Sequence, residues 1–341
     1  MNVTINKWGY TSSQEPVYIF RLTNESGAFV ELTNWGATWV SAFMYGRGGN
    51  LSNILLGYSN AVEYMHDIYY MGATVGRFAN RIHHASLSID GITYALEKND
   101  GDNTNHGGFA GFNKKLWAWE PVTDGIRFLL DSYDGEGGYP GNVRIAVEYV
   151  FSETNTLTIR YRGTTDRPTY VNLTNHAYFN LSDDKGEIDN HWLSIFSDTI
   201  LETTADFIPT GNFVNVLKSP FDFMTLRCIG DHLHDDDEQI RWNKGYNHCY
   251  VLKRQPSNEL LEAAVLLEPV SGRKLTVETD LPGVLLYTGG YLSAPDRGVC
   301  LETQYFPDTP SHPDFPSCLL TPEKEYDHRT VYQFSCPCIS D

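Results

Sequence analysis

The chain has few basic groups for its size. Its 341 residues carry 25 Lys and Arg against 43 Asp and Glu, a formal charge of −18. A protein that grips a phosphate backbone needs clustered Lys and Arg, and no such run is present, so no nucleic-acid partner is expected. Long apolar runs are also missing. Stretches such as Cys249–Leu252 and Ala263–Leu267 fall far short of the roughly 20 residues that cross a bilayer as a helix, so no membrane association is expected. Residues 1–7 lack the basic and apolar regions of an export signal, which points to the cytoplasm. Cysteine is sparse and irregularly spaced, at 228, 249, 300, 318, 336 and 338, with no C-x-x-C pair. Reduced thiols are expected, and Cys336-Pro337-Cys338 has no second pair with which to hold a metal. A phosphate-binding P-loop, a dinucleotide glycine fingerprint and a Gly-x-Ser-x-Gly elbow are all absent.

Helical periodicity is scarce. Asn60 to Met65 fits a single turn, and Glu259 to Ala264 is ambiguous. Short segments rich in Val, Thr, Tyr and Phe fill most of the chain instead: Phe29 to Tyr45, Ser86 to Leu96, Asn142 to Phe151, Thr156 to Thr164, Thr169 to Leu181, Lys274 to Thr279 and Gly283 to Tyr291. Asp90-Gly91, Asp134-Gly135, Pro140-Gly141 and Pro282-Gly283 mark turns between them. Many short strands without alternating long helices predict an all-β sandwich or barrel. With no linker and no internal repeat, residues 1–341 are expected to form a single domain.

Two segments carry chemistry. In Tyr170 to Leu181 the odd positions (Val171, Leu173, Asn175, Ala177, Phe179, Leu181) are mostly apolar. The even positions (Tyr170, Asn172, Thr174, His176, Tyr178, Asn180) are polar or aromatic. Alternate side chains of a strand point to opposite faces, so one face packs on a core. Amides, a hydroxyl, an imidazole and phenols in a row suit a sugar, since they bond hydroxyls and pack on a pyranose. A polar ladder on an exposed sheet face gives the same pattern. In Gly298 to Phe306, Glu302 shares its face with Cys300, Gln304 and Phe306. A carboxylate in that company is desolvated toward the pKa range of a general base, or else is held by a structural arginine.

At these residues the sequence resembles the aldose 1-epimerase family. The resemblance spans nearly the whole chain: Leu32 to Thr38, Gly72 to Ile82, Asn105 to Gly108, Gly111 to Lys114, Gly138 to Asn142, Val171 to Leu181, Leu301 to Gln304, Pro307 to Pro310 and Thr330 to Tyr332. It implies a large antiparallel β-sandwich with a sugar cleft on one sheet and no metal or organic cofactor. It further implies Glu302 as catalytic base, His176 as catalytic acid, and His106, Asn80 and Arg81 as groups that hold the sugar. Tyr178, on the His176 face, is expected to pack on the ring. The two glycines after His106 are expected to let a ligand approach the backbone closely. The partner implied is a small free sugar, and the protein is expected to act as a monomer or homodimer.

Three positions depart from the family pattern. Asn247 stands where the family usually has Asp; it can still bond a hydroxyl, without charge assistance. Leu285 stands where many members have Gln, and Asn105 where they usually have Leu. These departures bear on which sugar is preferred. His248 is a secondary candidate at the cleft wall. The cluster Asp231 to Glu238 with two histidines is read as a solvated acidic loop rather than a zinc site, and His83-His84 as a strand start or turn. Two other functions compete. A glycoside hydrolase needs a second carboxylate opposite Glu302, for which Asp134 and Glu136 are the candidates. A non-catalytic sugar-binding module needs Asn80, Arg81 and His106 but has no use for Glu302 with His176.

Overall fold

A computed structural model describes residues 1–252 and 259–336; Pro337 and Cys338 of the C-terminal cysteine pair lie outside the described residues. The strand-rich pattern is confirmed. Among the described residues the α-helices are Ala61–Met65 and Glu238–Asn243, and three sheets carry the architecture. A nine-stranded sheet runs in the order Ala118–Val122, Gly125–Ser132, Val143–Phe151, Thr156–Thr165, Tyr326–Ser335, Lys274–Thr279, Leu261–Leu267, Trp192–Ile195 and Arg227–Cys228. A five-stranded sheet joins Asn2–Tyr10, Pro16–Thr23, Phe29–Thr33, Thr38–Tyr45 and Leu51–Asn53 in sequence order. A second runs Pro209–Asn215, Thr199–Thr203, Asn247–Val251, Gly283–Tyr287 and Cys300–Gln304. All ladder pairs within the sheets are antiparallel.

Alternation explains the long central strands. In Val143–Phe151 every odd residue is buried, and in Thr156–Thr165 Leu157, Ile159 and Tyr161 turn the same way. Register sets Val147 opposite Tyr161 and Tyr149 opposite Ile159, so one face of the pair is continuous core. Trp39 joins this core edge-on to Phe179 at 5.7 Å and to Tyr332 at 5.3 Å, in the offset geometry that aromatic pairs prefer.

Several segments differ from the sequence-based expectation. Phe29 to Tyr45 is two strands, because Ala37 and Gly36 turn the chain with φ of 44° and 67°. Ser86 to Leu96 is a hairpin whose Asp90-Gly91 turn has both residues at positive φ, as a tight primed turn requires. Glu259 to Ala264 resolves as the start of the strand Leu261–Leu267, and Gly283 to Tyr291 ends its strand at Tyr287. Asp237 in the acidic run accepts from the N–H groups of Gln239 and Ile240 and so starts the second helix, where the sequence pattern predicts only loop.

The largest difference lies in Thr169 to Leu181. It is not one strand but a thread of two-residue pairings, Thr169–Tyr170 and Thr174–Asn175, with Phe179 bridged to Leu55 and Val299. The apolar odd face is buried as expected. The polar even face is divided. Asn172, Thr174 and Asn180 are fully buried and do not line the candidate cavity. Asn172 donates to the carbonyls of Ala79 and Tyr305 at 3.2 Å each and accepts from the Tyr305 N–H at 2.9 Å. It thereby ties the segment before Asn80-Arg81 to the strand end after Glu302. Arg77 braces the same region from behind, its guanidinium donating to the carbonyls of Ser132, Tyr133, Pro140 and Gly141.

Replacing Asn172 by Ala strands one N–H and two carbonyl groups in a dry interior, each at about 1–3 kcal/mol. Urea unfolding of Asn172→Ala is expected to show a loss of about 3 kcal/mol or more at unchanged m-value. A loss below about 1 kcal/mol would mean that this side chain is not a tie.

Candidate active site

A cavity of about 280 Å³ opens in the wall of the sheet that carries Glu302. Ligand pockets for small molecules begin near this size, at about 300 Å³, so the space suits one small ring. It is lined by Asn80, Arg81, His106, His176, Tyr178, Asn247 and Glu302 together, with Ile68, Tyr69, Tyr70, Asp100, Asn105, Phe207, Leu285, Tyr287 and Tyr291. A larger cavity of about 810 Å³, bordered by Asp183, Asp184, Glu187, Asp189, Trp192 and Val270, holds no such set and lies apart from these residues.

Each side chain is delivered by a different piece of chain. Glu302 is the middle residue of Cys300–Gln304, facing Leu285 across the ladder. His176 is pinned by its own backbone, which donates to Ala73 O and accepts from the Gly72 N–H. The ladder pair Arg81–Ile82 and Thr104–Asn105 sets Arg81 opposite Asn105. His106 follows, in the left-handed region at φ 53°. Its glycines serve packing rather than ligand approach, which corrects the expectation. A Cβ on Gly107 would strike the Gly76 carbonyl, one on Gly108 would meet Glu97, and neither glycine lines the cavity.

The centre of the cavity is a carboxyl facing an imidazole. His176 Nε2 lies 3.6 Å from Glu302 Oε1. Glu302 is 1 % exposed and His176 4 %. Neither carboxyl oxygen has a hydrogen-bond partner among the described residues. Burial penalises the charged form of both groups. It pushes the Glu302 carboxyl up from its ordinary 4.5 to about 8, against the opposing pull of the Arg81 charge, and the His176 imidazole down from 6.5 to about 4. Between those limits the pair holds one proton. Behind the ring, His176 Nδ1 is 3.5 Å from the Cys300 sulfur. His176, Cys300 and Glu302 are close enough to be metal ligands. Cys300 is fully buried and does not line the cavity, so the donor set is a poor fit to an entering ion.

The walls carry polar and aromatic side chains. Burial above all, with the Arg81 charge and any charge on His176, holds His106 well below its usual range, so it is neutral. Its Nδ1 accepts from the Asn80 N–H at 3.2 Å, which places its proton on Nε2 as a donor. Arg81 spends its Nε on Asp100 at 2.7 Å and lies over the Phe207 ring at 4.7 Å. That leaves its terminal nitrogens as donors at the cavity wall. Asn80 turns its Oδ1 back to the Arg81 N–H at 2.8 Å. Tyr178 donates its hydroxyl to Tyr69 O at 3.0 Å and presents its ring, 4.9 Å from that of His176. Asn247 lines the cavity, but His248 does not. His248 is fully buried against Phe221, its Nδ1 accepting from the Asn247 N–H, which overturns its place at the cleft wall.

Sequence reasoning missed the aromatic rim. Tyr70, at φ 60°, stacks on His176 at 5.8 Å and sits 4.6 Å from His106. Phe207 and Tyr291 meet at 6.1 Å. All three lie on loops, where periodicity gives no signal. The hydrolase candidates are elsewhere: Asp134 pairs with Arg167 and Glu136 with Lys115, and neither lines the cavity. Asp231 to Glu238 forms local pairs, His232 with Asp235 and Asp236 with Arg241.

The fold defines the class first. A large antiparallel sandwich with a cleft on one sheet is the architecture of galactose mutarotase-like proteins. The structure aligns with the galactose 1-epimerase of Lactobacillus acidophilus NCFM at a TM-score of 0.87, with 26% identity, over 98% of each chain. A GalM/aldose epimerase homologue from C. elegans aligns at 0.86 and 27% identity, over 93% of this chain and 98% of that one. In sequence, the model of the aldose 1-epimerase family matches residues 18–333. The aldose 1-epimerase of Escherichia coli K12 is 35% identical over 333 residues, 94% of this chain and 96% of that protein. The galactose mutarotase of Homo sapiens is 37% identical over 318 residues, 90% of this chain and 91% of that protein. The chain belongs to the aldose 1-epimerase family.

The proton shared by the buried pair sets a pH signature. In the unfolded chain the same two groups hold no proton above pH 6.5, whereas the folded pair keeps one until about pH 8. The folded state binds more protons in that window, so stability falls as pH rises through it, by about 2 kcal/mol in all. In Glu302→Gln this decline is expected to vanish. Urea midpoints of both proteins at pH 6.5 and 8.5 measure it, and equal pH dependence in the two would contradict the raised carboxyl.

Proposed function

We propose that the protein interconverts the α and β anomers of a free aldose such as galactose or glucose, with Glu302 and His176 as the acid–base pair. The observation that carries this reading is a buried carboxyl without a partner, 3.6 Å from an imidazole, in a cavity the size of one sugar ring. It is supported by 35–37% identity to aldose 1-epimerase and galactose mutarotase along most of the chain.

Anomer exchange requires the ring to open and close with no net change in protons. One proton leaves the C1 hydroxyl and one reaches the ring oxygen. A pair that holds a single proton has the right inventory: one member is ready to accept while the other donates. In the empty cavity burial favours the neutral forms of both. A bound sugar brings hydroxyls that bond the carboxylate, and Arg81 adds a nearby positive charge. Both stabilise the state in which Glu302 is the carboxylate and His176 the imidazolium. Glu302 then takes the C1 proton as His176 protonates the ring oxygen. Rotation about C1–C2 follows, and the roles reverse on closure. Arg81, the His106 Nε2–H, Asn80 and Asn247 hold the remaining hydroxyls, and the Tyr178 ring packs on the sugar. The work requires no metal or organic cofactor and takes place in the cytoplasm.

The hydrolase reading lacks its second carboxylate. Asp100 is the other carboxyl in the cavity lining, and Arg81 holds it. Polarimetry on freshly dissolved α-D-galactose and α-D-glucose is expected to show acceleration with at least one of them. Glu302→Gln and His176→Asn should each lose about 10² or more in turnover. The ratio kcat/KM, which reports the sugar-free enzyme, is expected to be flat while the pair holds one proton and to fall above about pH 8 and below about pH 4. Wild-type turnover in either variant would refute the roles.

A further inference from the structure

Asn105, Asn247 and Leu285 line the same cavity. Leu285 makes one wall apolar, packing with Leu201, Cys249, Phe306 and Phe315 below the surface. The position beside Glu302, directly opposite it on the ladder, therefore offers a sugar no polar group. Asn247 keeps a polar group without charge. Asn105 does the reverse of Leu285, placing an amide in the lining.

Asn105 sits beside Arg81 at the polar wall. It lies opposite Arg81 in a two-residue antiparallel ladder, and directly opposed residues share a face. Both line the cavity. Its backbone is fixed at both polar atoms by one side chain: Asn99 Oδ1 accepts the Asn105 N–H at 2.7 Å, and Asn99 Nδ2 donates to the Asn105 carbonyl at 2.9 Å. Its own side-chain Oδ1 is buried and has no hydrogen-bond partner among the described residues. A buried, unpartnered carbonyl on a pinned backbone in a ligand cavity is costly when empty. With the backbone held by Asn99, rotation of the side chain alone brings that oxygen to a hydroxyl in the cavity.

We infer that Asn105 is a specificity-determining residue of the sugar site, its side-chain amide bonding one ring hydroxyl remote from C1 and supplying a polar anchor that Leu285 does not. This rests on the anomer-interconversion reading and extends it to hydroxyl selection. The aldoses selected are those that present that hydroxyl toward the Arg81 wall. Sugars that lack it leave the amide unpaired and are turned over less efficiently. The amide bonds substrate and takes no part in proton transfer, so its removal changes preference among sugars and leaves the pH limits in place.

The test is kcat/KM by polarimetry for wild type, Asn105→Leu, Asn105→Ala and Asn105→Asp, on the preferred aldose and on its analogues deoxygenated singly at C2, C3, C4 and C6. Wild type is expected to lose roughly tenfold on one analogue, the scale of one neutral hydrogen bond. Asn105→Asp, which still accepts, should keep that penalty. Asn105→Leu and Asn105→Ala should erase it while losing roughly tenfold on the intact aldose. Asn105→Ala adds no bulk, so it separates removal of the amide from crowding by Leu. An active wild type whose pattern of penalties is shared by both apolar variants overturns this inference alone. A wild type that accelerates no free aldose overturns the anomer-interconversion reading and this inference with it.

Discussion

A carboxyl group kept out of water with nothing to bond it is the constraint on which the rest of the structure turns. Glu302 is almost fully buried, its oxygens lack hydrogen-bond partners among the described residues, and it faces an imidazole nitrogen at 3.6 Å. Such a group is expensive to keep in a folded protein. The surrounding sandwich tolerates it because a large continuous core lies behind the sheet. The cost also prepares the site. Dry surroundings keep the pair at one shared proton across the neutral range, which is the count the proposed acid–base roles draw on.

The remaining side chains are held so that they do not quench that state. The guanidinium in the wall, that of Arg81, is drawn toward Asp100 and the Phe207 face and acts on Glu302 through space. His106 has its Nδ1 occupied by the Asn80 backbone, so it offers a donor without carrying charge. Asn172 is outside the cavity lining, yet it links the chain on either side of the site through three hydrogen bonds. Buried Asn172 thus fixes the backbone around the cavity without touching Glu302 or His176.

Much of this was legible in the sequence, for physical reasons that differ by element. The alternation of Val143–Phe151 and Thr156–Thr165 shows because both strands bury one face and expose the other. The company of Glu302 in its strand left two readings, a desolvated carboxylate or one held by a structural arginine, and burial without a hydrogen-bond partner decides for the first. Thr169 to Leu181 misled in part, since its polar even positions serve two purposes: His176 and Tyr178 reach the cavity, while Asn172 and Asn180 satisfy buried loop carbonyls. A buried structural amide and a ligand-binding amide look alike in sequence. His248 misled for a related reason, as it follows Asn247 directly and therefore points to the opposite face of the strand, into Phe221. Tyr70 and Phe207 carried no pattern at all, and Tyr291 reads as the end of a strand that stops at Tyr287, because loops assembled by long-range packing bring all three to the rim.

The count of protons on the pair is the most direct check of the acid–base roles. Nuclear magnetic resonance of the unliganded protein, with labelled histidine and glutamate, reads both groups in one sample at pH 6.5. One proton in total is predicted, seen as a neutral His176 ring beside a protonated Glu302 carboxyl. A neutral ring beside an ionised Glu302 at that pH would contradict it.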